Sequence, residues 1–206
     1  MAAGIHPHNA KKFQTAALTA LQKLADQKKI CAVGEIGLDF HYNISLADKQ
    51  IQAFRAQLNT AQELGLPVVV HSRKAAQDVA AAIEEENFEQ GGVLHCFTED
   101  WEFAKRMLDQ NFLVSFSGIL TYPNAQSLRE VAQKLPLEKI LIETDSPYLV
   151  PAPHRGKVKR NEPCYVIEVA RALGRIREMS LEEVGWVTSD NFAFLFSSQT
   201  YGVHEK

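Results

Sequence analysis

Apolar positions along the chain follow two periods. Short, nearly continuous apolar runs at 31–34, 66–70, 92–94 and 140–144 predict β-strands, and a further run predicts one near 112–117. Between them the spacing is helical. Phe13, Ala17, Leu21 and Leu24 predict an amphipathic helix near 10–29. Ile51, Phe54, Leu58 and Ala61 mark a second, entered by a cap-like Ser45-Leu-Ala-Asp48 and stopped by Gly65. Further helices are expected near 74–86, 101–110 and 124–134, and two or three more follow a loop punctuated by Pro147, Pro151 and Pro153. About five full strands, plus a stub at Ile5, thus alternate with helices. That order implies a parallel sheet with helices outside. The all-apolar run before His71 suits a strand covered on both faces.

Polar residues with metal-binding side chains follow four of these runs. Glu35, His71, His95 and Asp145 each stand after a strand-like segment. A β/α (TIM-like) barrel gathers its chemistry at the C-terminal ends of its strands, so this spacing predicts a metal site at one mouth. Each residue also has a plainer reading. Glu35 could be an ion-paired rim residue, His71 a hydrogen-bonded rim imidazole and Asp145 a turn cap. Gly34 and Gly37 favour a functional Glu35, because they allow close backbone approach to a ligand. His95 precedes Cys96, and adjacent strand residues face opposite sides, so His95 is placed inward. Cys96, Cys31 and Cys164 then read as small buried hydrophobes. Glu143 should share the face of Asp145 one layer deeper.

Arg73 lies two residues beyond His71 and should face the same side, where a guanidinium suits an anionic substrate. His6 and His8, at i and i+2 around Pro7, could share a metal, contact phosphate, transfer a proton or sit on a solvated rim. The segment 154–160, with Arg155, Lys157, Lys159 and Arg160, is the densest cationic stretch. Such runs are usually solvated, but this one follows the Asp145 strand end, which favours phosphate contact.

Composition narrows the setting. The 206 residues suffice for one domain, and 46% hydrophobic with 23% charged residues is ordinary for a soluble protein. A net charge of −3 supplies no global attraction for nucleic acid, so such a substrate must be held by local cations. Three cysteines without a CxxC pair argue against a disulfide framework. No secretory signal or membrane-length apolar run is visible, which makes the cytoplasm the expected location, with no membrane and no obligate protein partner.

The motifs resemble the TatD family of metal-dependent deoxyribonucleases. They are Gly4-Ile-His-Pro-His8, Gly34-Glu-Ile-Gly-Leu-Asp39, Val70-His-Ser-Arg73, His95-Cys-Phe97, Ser115-Phe-Ser-Gly118, Glu143-Thr-Asp-Ser-Pro147, and His154-Arg-Gly-Lys157 with Asn161-Glu-Pro163. The resemblance covers essentially the whole chain. It implies a β/α barrel, one or two divalent cations (Mg²⁺, Mn²⁺ or Zn²⁺) and cleavage of DNA phosphodiesters. Glu35 would bridge two metals, His71 and His95 would hold one, and Asp145 the other. Asp145 would also orient or deprotonate the attacking water, and Arg73 would stabilise developing charge; His6 joins Asp145 and Arg73 as a catalytic candidate on its own position.

One feature departs from that pattern. The family begins with a strand ending in a His-x-His pair, and residues 1–8 match the end of its third strand instead. A complete barrel takes about 250 residues. The expectation is therefore a single domain over 1–206 that lacks the first two βα units and most of the third strand. Its Ile5 stub and 140–144 strand would be open edges. Two other readings compete with a DNase: a related barrel hydrolase of small amides or esters, which the cationic residues disfavour, and an inactive truncated remnant.

Overall fold

The computed structural model describes residues 1–197. Six parallel strands form one sheet in sequence order: β1 (Ala2–Ala3), β2 (Ala32–Asp39), β3 (Val68–Arg73), β4 (Gly92–Leu94), β5 (Phe112–Phe116) and β6 (Ile140–Ile142). The intervening helices are α1 (Ala16–Asp26), α2 (Ala47–Leu64), α3 (Ala76–Glu85), α4 (Trp101–Leu108) and α5 (Gln126–Lys134), and α6 (Val166–Arg177) and α7 (Leu181–Ser197) follow β6. This is the expected α/β architecture, with β1 and β6 as the sheet's edges among the described residues.

Strand alternation divides the sheet into two faces. Val68, Val70, Leu94, Phe112, Val114 and Ile140 point outward into a core shared with α1 to α6. Val69, Val93, Leu113 and Leu141 point inward, where Leu195 and Phe196 of α7 pack on them. Two residues on, the same inward columns carry His71, His95, Ser115 and Glu143. The period of two thus lifts polar chemistry directly above an apolar floor.

Several local expectations need correction. The helix expected over 10–29 is two pieces, a 3-10 turn over Pro7–Lys12 and then α1. Ser45 does not cap α2. Its buried hydroxyl donates to the His8 carbonyl (2.9 Å) and accepts from the Lys11 amide (3.1 Å), so it ties down the histidine turn instead. Gly65 does stop α2, in the left-handed conformation at φ 64°. Strands β4 and β6 end at Leu94 and Ile142, so His95 and Asp145 stand beyond them. Conversely, β2 continues four residues past Glu35. The edge stub is Ala2–Ala3 rather than Ile5.

Candidate metal centre

Glu35 faces the cleft because β2 is irregular at that point. Gly34 pairs with Val69 and Ile36 with Val70, so Glu35 is an extra residue in the ladder. A bulge re-aims a side chain in just this way. The flanking glycines serve this geometry rather than a ligand. A Cβ on Gly34 would lie 2.6 Å from Val69 Cβ, and one on Gly37, at φ 131°, 2.1 Å from the His71 carbonyl oxygen. Both positions let β2 lie tightly on β3.

Three imidazoles converge on one Glu35 oxygen. His71 Nδ1 is 2.9 Å from Oε1, His95 Nε2 3.0 Å and His6 Nε2 3.3 Å. The remaining ring nitrogens distinguish their roles. His71 Nε2 faces Asp39 Oδ2 at 3.2 Å, and His95 Nδ1 faces Glu143 Oε1 at 2.8 Å. A carboxylate accepts, so without a cation both nitrogens of each ring face acceptors; the far carboxylates would keep the protons on the far nitrogens when a cation takes the near lone pairs. His6 is the reverse. Its Nδ1 accepts the backbone N–H of His8 at 3.1 Å, which makes Nε2 the protonated, donating nitrogen. His6, Glu35 and His71 bring atoms within 4.8 Å of one another, a spacing compatible with an ion. The hydrogen bonding nevertheless makes His6 a donor to an oxygen, and leaves Glu35, His71 and His95 as the set that could hold a metal. One carboxylate oxygen and two neutral imidazoles suit Zn²⁺ or Mn²⁺ and tolerate Mg²⁺.

Behind this set stand two carboxylates that meet the far ring nitrogens. Asp39 is fully buried. Its Oδ1 accepts the amides of His41 (3.0 Å) and Tyr42 (2.8 Å), while Oδ2 meets His71 and also His8 Nε2 at 2.9 Å. Glu143 follows β6 in the column above Leu141, and its second oxygen accepts from Ser115 Oγ at 2.7 Å; Asp145 has left strand geometry, so alternation does not set its layer. Replacing Glu143 by Gln should weaken metal binding about 10- to 100-fold, the usual effect of removing an outer-shell carboxylate. Calorimetric titration of the metal-free protein measures it, and unchanged affinity would show that His95 needs no such partner.

Asp145 lines the same cleft in a left-handed conformation (φ 56°), three residues past β6. Burial raises its pKa, and the charges of Glu143 and Glu35 add to the rise against the opposing effect of His95. Its loop is stapled by buried Asn161, whose Nδ2 donates to the carbonyls of Thr144 (2.8 Å) and Leu149 (3.3 Å). Gly118 gives that loop room, since a Cβ there would lie 2.1 Å from the Leu149 carbonyl oxygen.

Arg73 lines the cleft as expected, its guanidinium 4.6 Å from the Tyr42 ring centroid. Arg155 and Lys157 are placed elsewhere. The Arg155 guanidinium lies 4.7 Å from the Tyr122 ring centroid, and Lys157 Nζ donates to the Pro153 carbonyl at 3.0 Å. Cys96 is also corrected. It has left strand geometry (φ 46°), so alternation does not apply to it, and it lines the cleft beside His95 with Sγ 3.2 Å from Ser117 Oγ. Cys164 is exposed and Cys31 half-buried, not core residues.

Glu35 and His95 favour each other's charged forms in the metal-free protein. Burial opposes ionisation of Glu35, but hydrogen bonds from His6, His71 and His95 outweigh it and hold its carboxyl far below the usual range. Burial likewise opposes protonation of His95, yet Glu143 and Glu35 raise its pKa to about 11. A raised imidazole pKa stabilises the fold fully below the ordinary 6.5, and the stabilisation is lost as pH climbs through about 11. The melting-temperature advantage of metal-free wild type over His95→Asn should therefore shrink across that interval. A constant gap would contradict the ion pairing.

Known proteins resemble this chain along most of its length. The family model described as TatD related DNase matches residues 1–197. The chain is 44% identical over 194 residues to the uncharacterized metal-dependent hydrolase YcfH of Escherichia coli K12, covering 94% of this chain and 72% of that protein. It is 35% identical over 198 residues to the 3'-5' ssDNA/RNA exonuclease TatD of Pantoea vagans, covering 94% and 76%. The crystal structure of YJJV, a TatD homolog from Escherichia coli K12, superposes with a TM-score of 0.87 at 30% identity, over 95% of this chain and 76% of that one. Fold and cleft together define a metal-dependent hydrolase of the β/α-barrel class. The chain belongs to the TatD family.

No helix among the described residues is long and apolar enough to cross a membrane.

Proposed function

We propose that this chain hydrolyses phosphodiester bonds of DNA, in the manner of a TatD-type exonuclease, with one or two divalent cations. The observation that carries the reading is the convergence of three imidazoles on one carboxylate oxygen. The far nitrogens of His71 and His95 face Asp39 and Glu143, which would free their near nitrogens for a cation, and His6 presents an N–H. Glu35, His71 and His95 would hold the first cation, and Glu35 with Asp145 a second. A bound cation supplies positive charge to a phosphoryl oxygen and lowers the pKa of water from 15.7 towards about 7. Arg73 and the His6 Nε2–H bind the anionic oxygens of the substrate. Asp145, with its raised pKa and no hydrogen bond tying its carboxylate among the described residues, accepts the proton of the attacking water. The exonuclease name of the Pantoea vagans relative supports a nucleic-acid substrate.

Cleavage of end-labelled single-stranded DNA by the purified chain, with Mg²⁺, Mn²⁺ or Zn²⁺, tests this reading. Within that assay Arg73→Ala should raise KM by about 10-fold or more, the effect of one charge-assisted contact. The double variant Arg155→Ala/Lys157→Ala should change mainly the salt dependence of binding. Hydrolysis of small esters or amides without any cleavage of DNA would overturn the proposal.

A further inference from the structure

The rim of the metal cleft carries apolar groups that neither the fold nor the hydrolytic chemistry uses. Tyr42 is 56% exposed, Tyr148 69% and Ile44 49%, and all three line the cleft that holds Glu35 and Asp145. They come from two different loops. Tyr42 and Ile44 lie between β2 and α2, and Tyr148 lies three residues past Asp145. A large ring left in water at an active-site mouth gains nothing for the fold, because its apolar area is not buried.

The surroundings of Tyr42 indicate what the ring could meet. Arg73 lies against it, and the imidazoles of His8 and His41 stand edge-on, with centroids 5.7 and 4.9 Å away. Its backbone is fixed as well, since the Tyr42 amide donates to buried Asp39 at 2.8 Å. An exposed ring on an anchored backbone, beside a cation, matches the two halves of a nucleotide, a flat base and an anionic phosphate. Tyr148 is set by its own turn, its amide donating to the Asp145 carbonyl at 2.9 Å. Each ring is therefore tied through its backbone to a carboxylate residue of the cleft.

We propose that Tyr42 and Tyr148 form a stacking subsite for the unpaired bases of a single-stranded nucleic acid. This inference rests on the nuclease reading above and deepens it. Stacking uses the π-face common to all four bases, so the subsite tolerates any sequence. It also requires bases splayed from a partner strand, which selects single strands and frayed ends over intact duplex. Ile44 adds apolar contact at the same rim. Arg73 thereby has two tasks, steadying the Tyr42 ring and meeting the phosphate.

The test uses the metal-free protein for binding and the metal-loaded protein for cleavage. The probe is a single-stranded oligonucleotide with 2-aminopurine at its terminal nucleotides, compared with an oligonucleotide abasic at those positions. Wild type should quench the fluorescent base and prefer the base-bearing substrate. Tyr42→Ala and Tyr148→Ala should each lose quenching and cut the kcat/KM ratio of base-bearing to abasic substrate by about 5- to 100-fold, the range for one stacked base. Tyr42→Phe and Tyr148→Phe should restore both, since the phenyl face still stacks. Alanine variants that keep the wild-type quenching and ratio would overturn the subsite, as would variants that lose rate equally on both substrates. If wild type cleaves neither oligonucleotide, the nuclease reading itself fails and the subsite with it.

Discussion

Glu35→Gln should strip the protein of bound metal and lower phosphodiester hydrolysis on the order of 10³-fold or more. Loss of one preorganised charged group costs about 10²–10³-fold, and loss of a cation removes several such effects at once. The large effect follows from position. The same Glu35 oxygen lies within 3.3 Å of nitrogens from His6, His71 and His95. Among the described residues no other carboxylate of the cleft meets three imidazoles. The variant also separates the metal from the fold. The Glu35 carboxyl is held far below its ordinary 4.5, so its contribution to stability is present above that value and is lost only as pH falls well below it. Metal-free Glu35→Gln should therefore melt lower than metal-free wild type at neutral pH, with the two converging in strong acid. Metal analysis, a cleavage assay and melting curves check the three parts. Retention of both metal and rate would remove Glu35 from the centre of the site.

Residue type and spacing carried most of this site, because inward columns repeat every two residues. His71 above Val69 and His95 above Val93 are readable from alternation alone, and so is Glu143 above Leu141. Three things were not readable. The first is the bulge at Glu35. A regular strand continuing to Asp39 would have put Glu35 and Ile36 on the wrong faces, and only the skipped pairing with Val70 corrects this. The second is the identity of the partners that fix each tautomer. Asp39 stands in a motif with Glu35, but its side chain reaches His71 on the neighbouring strand, a contact that no local pattern encodes. The third is the reach of the cations. Arg155 and Lys157 follow Asp145 in sequence, yet the turn of the loop sends them to Tyr122 and Pro153. Sequence proximity to a strand end shows which mouth a residue is near, not which way a long flexible side chain points.

Asp145→Asn should leave the Glu35–His71–His95 cation bound and lower kcat by about 10²–10⁴-fold, the usual contribution of a positioned proton acceptor. Asparagine keeps the shape and the loop, because the loop is held by groups other than the Asp145 side chain. Asn161 staples the carbonyls of Thr144 and Leu149, and the Asn161 amide donates to the Pro147 carbonyl at 3.0 Å. What the variant removes is a carboxylate whose pKa is raised by burial and whose oxygens are not consumed by hydrogen bonds among the described residues. That combination belongs to a base rather than to a structural cap, which would spend its oxygens on backbone amides as Asp39 does. The contrast with Glu35→Gln is the decisive part. One variant loses metal and rate together, and the other loses rate with the first metal kept. Metal content measured alongside kcat distinguishes them. A fall in stoichiometry from two ions to one in Asp145→Asn would assign Asp145 to the second cation, and an unchanged kcat would exclude it as the proton acceptor.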